Sequence, residues 1–208
     1  MDDKKQRLSM IRSYTLADLF TLGNASCGTL TIFLCLGFIA NDKVAELWAA
    51  FILPLIALAF DALDGYIARL DKRRQSLLGA DLDSLADIVS FGVAPAVLGY
   101  TLGLRGFWDV TCLTYFVCCG ISRLARFNVT SAALTNQATG KVKYFEGTPI
   151  PTSVLLVLAL ALIYSLGHTG DHFLWGNWRI MDRVLHPFSL FFVLSGSLMI
   201  STIKVPKP

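Results

Sequence analysis

Four aspartates in one short stretch are the residues best suited to chemistry. The segment from Asp61 to Asp87, DALDGYIARLDKRRQSLLGADLDSLAD, carries them as two pairs, Asp61/Asp64 and Asp83/Asp87. On a helix, spacings of three and four put each pair on a single face. Gly65, Ala68, Arg69 and Gly79 stand at fixed offsets between them. The flanks are hostile to charge, with AAFILPLIALAF before the stretch and IVSFGVAPAVLGY after it. Ionisable groups at membrane depth are costly and by default functional. Four carboxylates converging without matching cations on the same faces invite a divalent metal. Capping or interfacial solubilisation would explain one or two of them. It would not explain two spaced pairs, a glycine directly after the second Asp and an Arg one turn beyond.

The elements that must hold these groups are apolar. Of 208 residues, 54% are hydrophobic and 16% charged, and the mean hydropathy of +0.58 belongs to a membrane protein. A net charge of +3 is too small and too scattered to argue for nucleic acid. MDDKKQR at the start is polar and no short apolar core with a small-residue cleavage site follows, so no cleavable secretory signal is expected. All five cysteines (Cys27, Cys35, Cys112, Cys118, Cys119) fall in apolar spans without a CxxC pair, which favours buried small hydrophobes over disulfides or zinc. Six apolar segments, at about 16–40, 46–69, 80–103, 107–127, 150–167 and 186–203, are each near the roughly 20 residues that cross a bilayer. The expected fold is therefore an all-α integral membrane protein, one domain over residues 1–208 with six transmembrane helices. MIRSYTLADLF reads as a short N-terminal interfacial helix leading into the first.

Basic residues orient the spans. Six crossings put both termini and the second and fourth connections on one side. That side holds fourteen Lys and Arg, including Lys72, Arg73, Arg74, Arg123 and Arg126. The other holds only Lys43, Arg105, Arg179 and Arg183. The bias places the termini and the aspartates on the cytoplasmic face. The second and third spans then meet at a turn around Asp71–Ser76, and the aspartates line the facing helix ends.

A second stretch, SRLARFNVTSAALTNQATGKVKYFEGTPIPT from Ser122 to Thr152, adds Arg123 and Arg126 one helical turn apart, with Phe127 beside them. They read either as positive-inside anchors or as anion-capturing groups, since guanidinium suits carboxylate and phosphate.

Taken together, D-x2-D-G-x2-A-R-(spacer)-G-x3-D-x3-D over residues 61–87 resembles the signature of the CDP-alcohol phosphotransferases, integral membrane enzymes of phospholipid synthesis. Every fixed position is present. The spacer from Leu70 to Leu78 is one residue longer than the family pattern, and its polar run DKRRQS reads as a loop insertion. LDSLADIVSFGVAPA, SRLARFNV, KYFEGTPIPTS and the terminal IKVPKP are similar to one branch, the CDP-diacylglycerol-dependent phosphatidylserine synthases. The similarity runs over nearly the whole chain after residue 14.

That resemblance implies transfer of a phosphatidyl group from CDP-diacylglycerol to the hydroxyl of L-serine, with release of CMP. It implies divalent cofactors, Mg²⁺ or Mn²⁺ and two ions, held by Asp61, Asp64, Asp83 and Asp87, with Asp87 the general base. Asn24, Gly65, Arg69 and Gly79 would bind the CDP-lipid. Arg123, Arg126 and Phe127 would form the serine pocket, one guanidinium holding the serine carboxylate. Partners would be membrane lipids and a second copy in a homodimer, in the endoplasmic reticulum of a eukaryote or the plasma membrane of a prokaryote. Another acceptor (inositol, glycerol 3-phosphate or an amino-alcohol) fits the same signature. An intramembrane prenyltransferase would show two Asp-rich clusters on separate helical pairs, and a divalent-cation transporter would often show an internal repeat. Neither pattern is seen.

The charge bias makes a testable statement about the Lys72–Arg74 turn. A single cysteine placed at Gln75 in a cysteine-free background should react with impermeant reagent only from the cytoplasmic side. Labelling only from the opposite side would invert the orientation.

Overall fold

The computed structural model describes residues 16–70, 77–135, 144–170, 173–202 and 204–206. Side chains are described for these apart from 16, 68–70, 77–78, 130–135, 144–146 and 204–206. Residues 10–15 of the expected interfacial helix, the Asp71–Ser76 turn and the side chain of Arg69 lie outside that description, and residues 16–20 of that helix belong to the first long helix.

Helix α1 (Leu16–Asn41) and helix α2 (Val44–Leu70) form a tight hairpin. Only Asp42 and Lys43 separate them, and Asp42 takes a left-handed φ of 54° while its N–H reaches the Phe38 carbonyl at 2.8 Å. Such a residue ends a helix by satisfying one of its orphan carbonyls. Leu47, Ala50 and Ala57 of α2 are fully buried, and Phe20 packs on Phe60 with ring centroids 6.1 Å apart.

The third span is one helix with a change of winding. Helix α3 (Leu77–Asp87) passes through a π-helical turn, Ile88–Val93, into helix α4 (Ala94–Leu102). The Ala94 N–H bonds to the Val89 carbonyl, five residues back. Pro95 follows with no N–H to give, so the i→i−4 ladder is interrupted at this point in any case. This span is the centre of the bundle: 67% of its apolar window is buried, against 28–33% for the other three long helices.

Helix α5 (Phe107–Thr135) runs beside helix α7 (Ser189–Ile200). Phe116 meets Phe192 edge-on at 5.3 Å, and a side chain at Gly196 would stand 3.2 Å from the Phe116 backbone. A 3₁₀ turn, Ile150–Ser153, opens helix α6 (Val154–Ser165), whose Tyr164 ring sits among Phe38, Trp48 and Phe51.

Helices occupy all six expected apolar segments. Four, Ala17–Asn41, Val44–Ile67, Gly79–Leu102 and Phe107–Val129, are long and apolar enough to cross a membrane; Ile150–Ser165 and Ser189–Ile200 are shorter. The outward faces are apolar, with Leu30, Phe33, Leu36, Ile52, Leu155 and Leu162 among the exposed side chains, as befits a bundle surrounded by lipid. Two departures from an all-α fold occur. Strand β1 (Tyr144–Glu146) pairs antiparallel with β4 (Lys204–Pro206), and β2 (Trp178–Ile180) with β3 (Arg183–Leu185). Both ladders lie in connecting or terminal segments, where they give backbone groups partners that no helix supplies. Met181 and Asp182, both at positive φ, make the two-residue turn that matches strand twist. Of the cysteines, Cys27, Cys35 and Cys119 are buried as expected, whereas Cys118 is exposed.

Where α1 meets the π turn there is no room for a side chain. A Cβ at Gly28 would lie 2.7 Å from the Ser90 Cα and 2.9 Å from its N. Gly65, by contrast, has nothing within 4 Å of that position. Glycine to alanine inside a helix is otherwise favourable by roughly 0.5–1 kcal/mol. Gly28→Ala should nonetheless lower the thermal midpoint of the purified protein, overpacking costing about 1–3 kcal/mol, while Gly65→Ala should hold or raise it. Equal midpoints for both variants would show that the α1 contact is looser than described.

Candidate active site

The two aspartate pairs come together from α2 and α3. Carboxylate oxygens of Asp61, Asp83 and Asp87 all lie within 4.8 Å of one another. Asp87 is 7% exposed, and it occupies the last residue before the π turn. Asp64 stands outside this trio. It is buried, and its Oδ2 accepts a hydrogen bond of 2.9 Å from the Thr21 hydroxyl on α1. Asp64 still feels Asp61 and Asp83 electrostatically. The expected four-carboxylate cluster is therefore a trio with a fourth member held beside it.

Helix α1 contributes no residue to the signature, yet through Thr21 and the expected Asn24 it braces both pairs. The Asn24 amide is fully buried and donates to Asp87 Oδ1 at 3.1 Å. Its own backbone carbonyl accepts from the Ser90 hydroxyl at 2.8 Å. Asn24, expected near the nucleotide, thus touches a signature carboxylate directly. The signal that could have found this face is a stripe at spacings of three and four: Thr21, Asn24, Gly28 and Thr31 are all buried in a helix otherwise rich in outward leucines.

The remaining expected residues separate into groups. Gly65 presents open space above its backbone. Gly79 sits half-buried in the first turn of α3. Arg123 is half-buried on α5 and interacts electrostatically with Asp87. Arg126 and Phe127 are exposed. The two arginines, equivalent by sequence, are distinguished: one faces the carboxylates and the other the surroundings. Sequence reasoning gave Asp81 and Asn128 no part in the site. Asn128 donates to Asp81 at 3.2 Å and accepts from Ser84 at 3.1 Å, tying α3 to α5 next to the arginine pair.

Four buried polar atoms among the described residues lack a hydrogen-bond partner: Asn24 Oδ1, Asp83 Oδ1, Arg123 Nε and Ser153 Oγ. Three of these belong to the residues just described. Orphaned buried groups are costly and rare in folded proteins. Here one is a carboxylate acceptor on Asp83 and another a guanidinium donor on Arg123. The all-oxygen donor set of Asp61, Asp83 and Asp87 fits a hard divalent ion. It also fits poorly with any account in which three close carboxylates stay uncompensated in an apolar bundle.

Comparison with known proteins gives the same direction. The sequence profile of the CDP-alcohol phosphatidyltransferases matches residues 14–195. A CDP-diacylglycerol–serine O-phosphatidyltransferase from Saccharomyces cerevisiae is 44% identical over 208 residues, covering 98% of this chain and 75% of the relative. An archaetidylserine synthase from Methanothermobacter thermautotrophicus is 39% identical over 165 residues, covering 78% and 62%. A CDP-diacylglycerol–serine O-phosphatidyltransferase from Helicobacter pylori is 36% identical over 198 residues, covering 93% and 72%. Family members depend in general on divalent metal, and the acidic trio lies where such an ion would be held. With the profile spanning both aspartate pairs and most of the chain, this protein belongs to the CDP-alcohol phosphatidyltransferase family.

Proposed function

We propose that this chain transfers the phosphatidyl group of CDP-diacylglycerol to the hydroxyl of L-serine, forming phosphatidylserine and releasing CMP. The observation that carries the reading is the 44% identity to the yeast enzyme over almost the full length. Two further relatives are named for serine, one as an archaetidylserine synthase and one as a CDP-diacylglycerol–serine O-phosphatidyltransferase, so serine is the common element.

Asp61, Asp83 and Asp87, with Asp64 beside them, would hold two Mg²⁺ or Mn²⁺ ions. Such ions, when bound, neutralise charge on the phosphates of the donor and on the oxygens that attack and leave. Within the chain's own residues, Asp87 is the general base. Asn24 occupies its Oδ1, which leaves Oδ2 to take the proton from the serine hydroxyl. The deprotonated oxygen then forms the new P–O bond as the bond to CMP breaks. Gly65 lets the nucleotide approach the α2 backbone, and Gly79 does the same at α3. Arg69 is assigned to a donor phosphate by family likeness. Arg123 binds the serine carboxylate through its unpaired Nε edge, and Arg126 and Phe127 close the rim of that pocket.

The site would face the cytoplasm in a six-helix bundle. Ile150, before α6, lies near Ile88 and Gly120 at the site end, while Tyr164 lies among the far ends of α1 and α2. Helix α7 starts beside His186, which pairs with Asp109 at the N-terminus of α5, and ends beside Gly147. The two short helices would be the fifth and sixth crossings. Membrane lipids and a second copy of the chain are the partners carried over by family likeness.

Serine differs from inositol and simple amino-alcohols in its carboxylate, so its pocket needs a cation they do not. Losing a charge-assisted contact costs about 1.5–3 kcal/mol, or roughly ten- to a hundredfold in apparent affinity. Arg123→Lys keeps the charge and loses the fork. It should raise the KM for serine by that factor and leave the KM for CDP-diacylglycerol near wild type, while Asp87→Asn should abolish turnover at saturating serine. An equal loss for both substrates in Arg123→Lys would move that residue to phosphate binding or anchoring. Near-normal turnover in Asp87→Asn would remove it as the base.

A further inference from the structure

We infer that Thr21 is a positioning residue for Asp64, turning that carboxylate into a ligand with one oxygen available to a cation. The inference rests on the metal-holding role given above to the aspartates. It concerns a residue on a helix that lies outside the signature.

The Thr21 hydroxyl has one proton and two acceptors within reach. Asp64 Oδ2 lies at 2.9 Å and the Ala17 carbonyl at 3.1 Å. In the interior of α1 the Ala17 carbonyl already receives a backbone N–H from one turn on. A carboxylate is the stronger acceptor, and hydrogen bonds to ionised oxygens are about twice as strong as neutral ones. The proton therefore belongs to Asp64. Both side chains are nearly sealed, Thr21 at 4% and Asp64 at 6% exposure, so water does not compete for the contact.

Two consequences follow for the geometry. With one lone pair of Oδ2 engaged by Thr21, Oδ1 is the oxygen that Thr21 leaves unencumbered, and bidentate use of a cation is disfavoured. The hydrogen bond also fixes the carboxylate outside the Asp61–Asp83–Asp87 trio, beside Asp61 on the same α2 face. A fourth carboxylate forced into that trio would add like charge to the most crowded part of the bundle. Thr21 keeps it apart and aimed from one direction. The same division of labour occurs one turn further along α1, where Asn24 holds Asp87. Outer-shell partners of ligating carboxylates typically change metal affinity by about 10–100-fold when removed.

The test is Mn²⁺ binding to the full-length protein in detergent, followed by electron paramagnetic resonance without donor lipid or serine, so that turnover plays no part. Thr21→Val keeps the β-branched shape and removes the hydroxyl; Thr21→Ala is a second hydroxyl-free variant should the first fail to insert. Thr21→Ser restores the hydroxyl, and Asp64→Asn removes the ligand itself. The expected result is Mn²⁺ binding weakened about 10–100-fold in Thr21→Val or Thr21→Ala and in Asp64→Asn, with Thr21→Ser close to wild type. Wild-type binding in the hydroxyl-free variants alongside a loss in Asp64→Asn would overturn the role of Thr21 alone. A loss in Thr21→Ser equal to that in Thr21→Val would assign Thr21 to packing. Undiminished binding in Asp64→Asn would overturn both this role and the assignment of Asp64 to the metal site.

Discussion

Where α1 crosses the third span, the backbones come close enough for the Ser90 hydroxyl to reach the Asn24 carbonyl at 2.8 Å, and only glycine fits at position 28. Much of the site hangs on that contact. It fixes the rotation of α1, so that Thr21 and Asn24 face the aspartates and the leucines face outward. It also fixes the π turn that begins directly after Asp87. An added residue in the winding changes which side chains share a face, and such turns recur at functional sites. Here Asp83 and Asp87 stay on the ordinary α-helical part, one turn apart and facing α2. The buried face of α4 then follows a shifted register.

The arrangement has an electrostatic cost that the fold must absorb. Carboxylates within 4.8 Å of one another repel by several kcal/mol even at an effective dielectric of about 20. The bundle compensates with hydrogen bonds from neutral donors, Thr21 to Asp64 and Asn24 to Asp87, and with the charge of Arg123 near Asp87. Among the described residues, no ion pair with Asp61 or Asp83 accompanies these contacts. Asp83 Oδ1 is buried without a hydrogen-bond partner, which is compatible with the divalent-metal dependence general to the family.

Much of this was legible in the sequence for one reason: charge in an apolar context is conspicuous. The aspartate pairs, their helical spacing and the six apolar segments all stand out against a chain that is 54% hydrophobic. The supporting contacts were not legible. Thr21 and Ser90 are hydroxyls in apolar helices, where bonding back to their own helix is the ordinary role. Their partners lie 43 and 66 residues away, and no local pattern reveals a pairing at that distance. The π turn is hidden in IVSFGVAP because an inserted residue alters winding without altering composition. Arg123 and Arg126 share type and spacing, and only the packing of α5 separates the half-buried one from the exposed one. The short ladders at 144–146 and 178–185 carry too few residues to show an alternating pattern.

The central claim is that the acidic site joins a CDP-activated lipid to serine in particular. Purified protein in detergent, given CDP-diacylglycerol and Mn²⁺, tests it by release of CMP with each of L-serine, inositol, glycerol 3-phosphate and ethanolamine as acceptor. The account predicts CMP release that depends on serine and matches phosphatidylserine mole for mole. CMP release driven by one of the other acceptors, with none above background for serine, would contradict it.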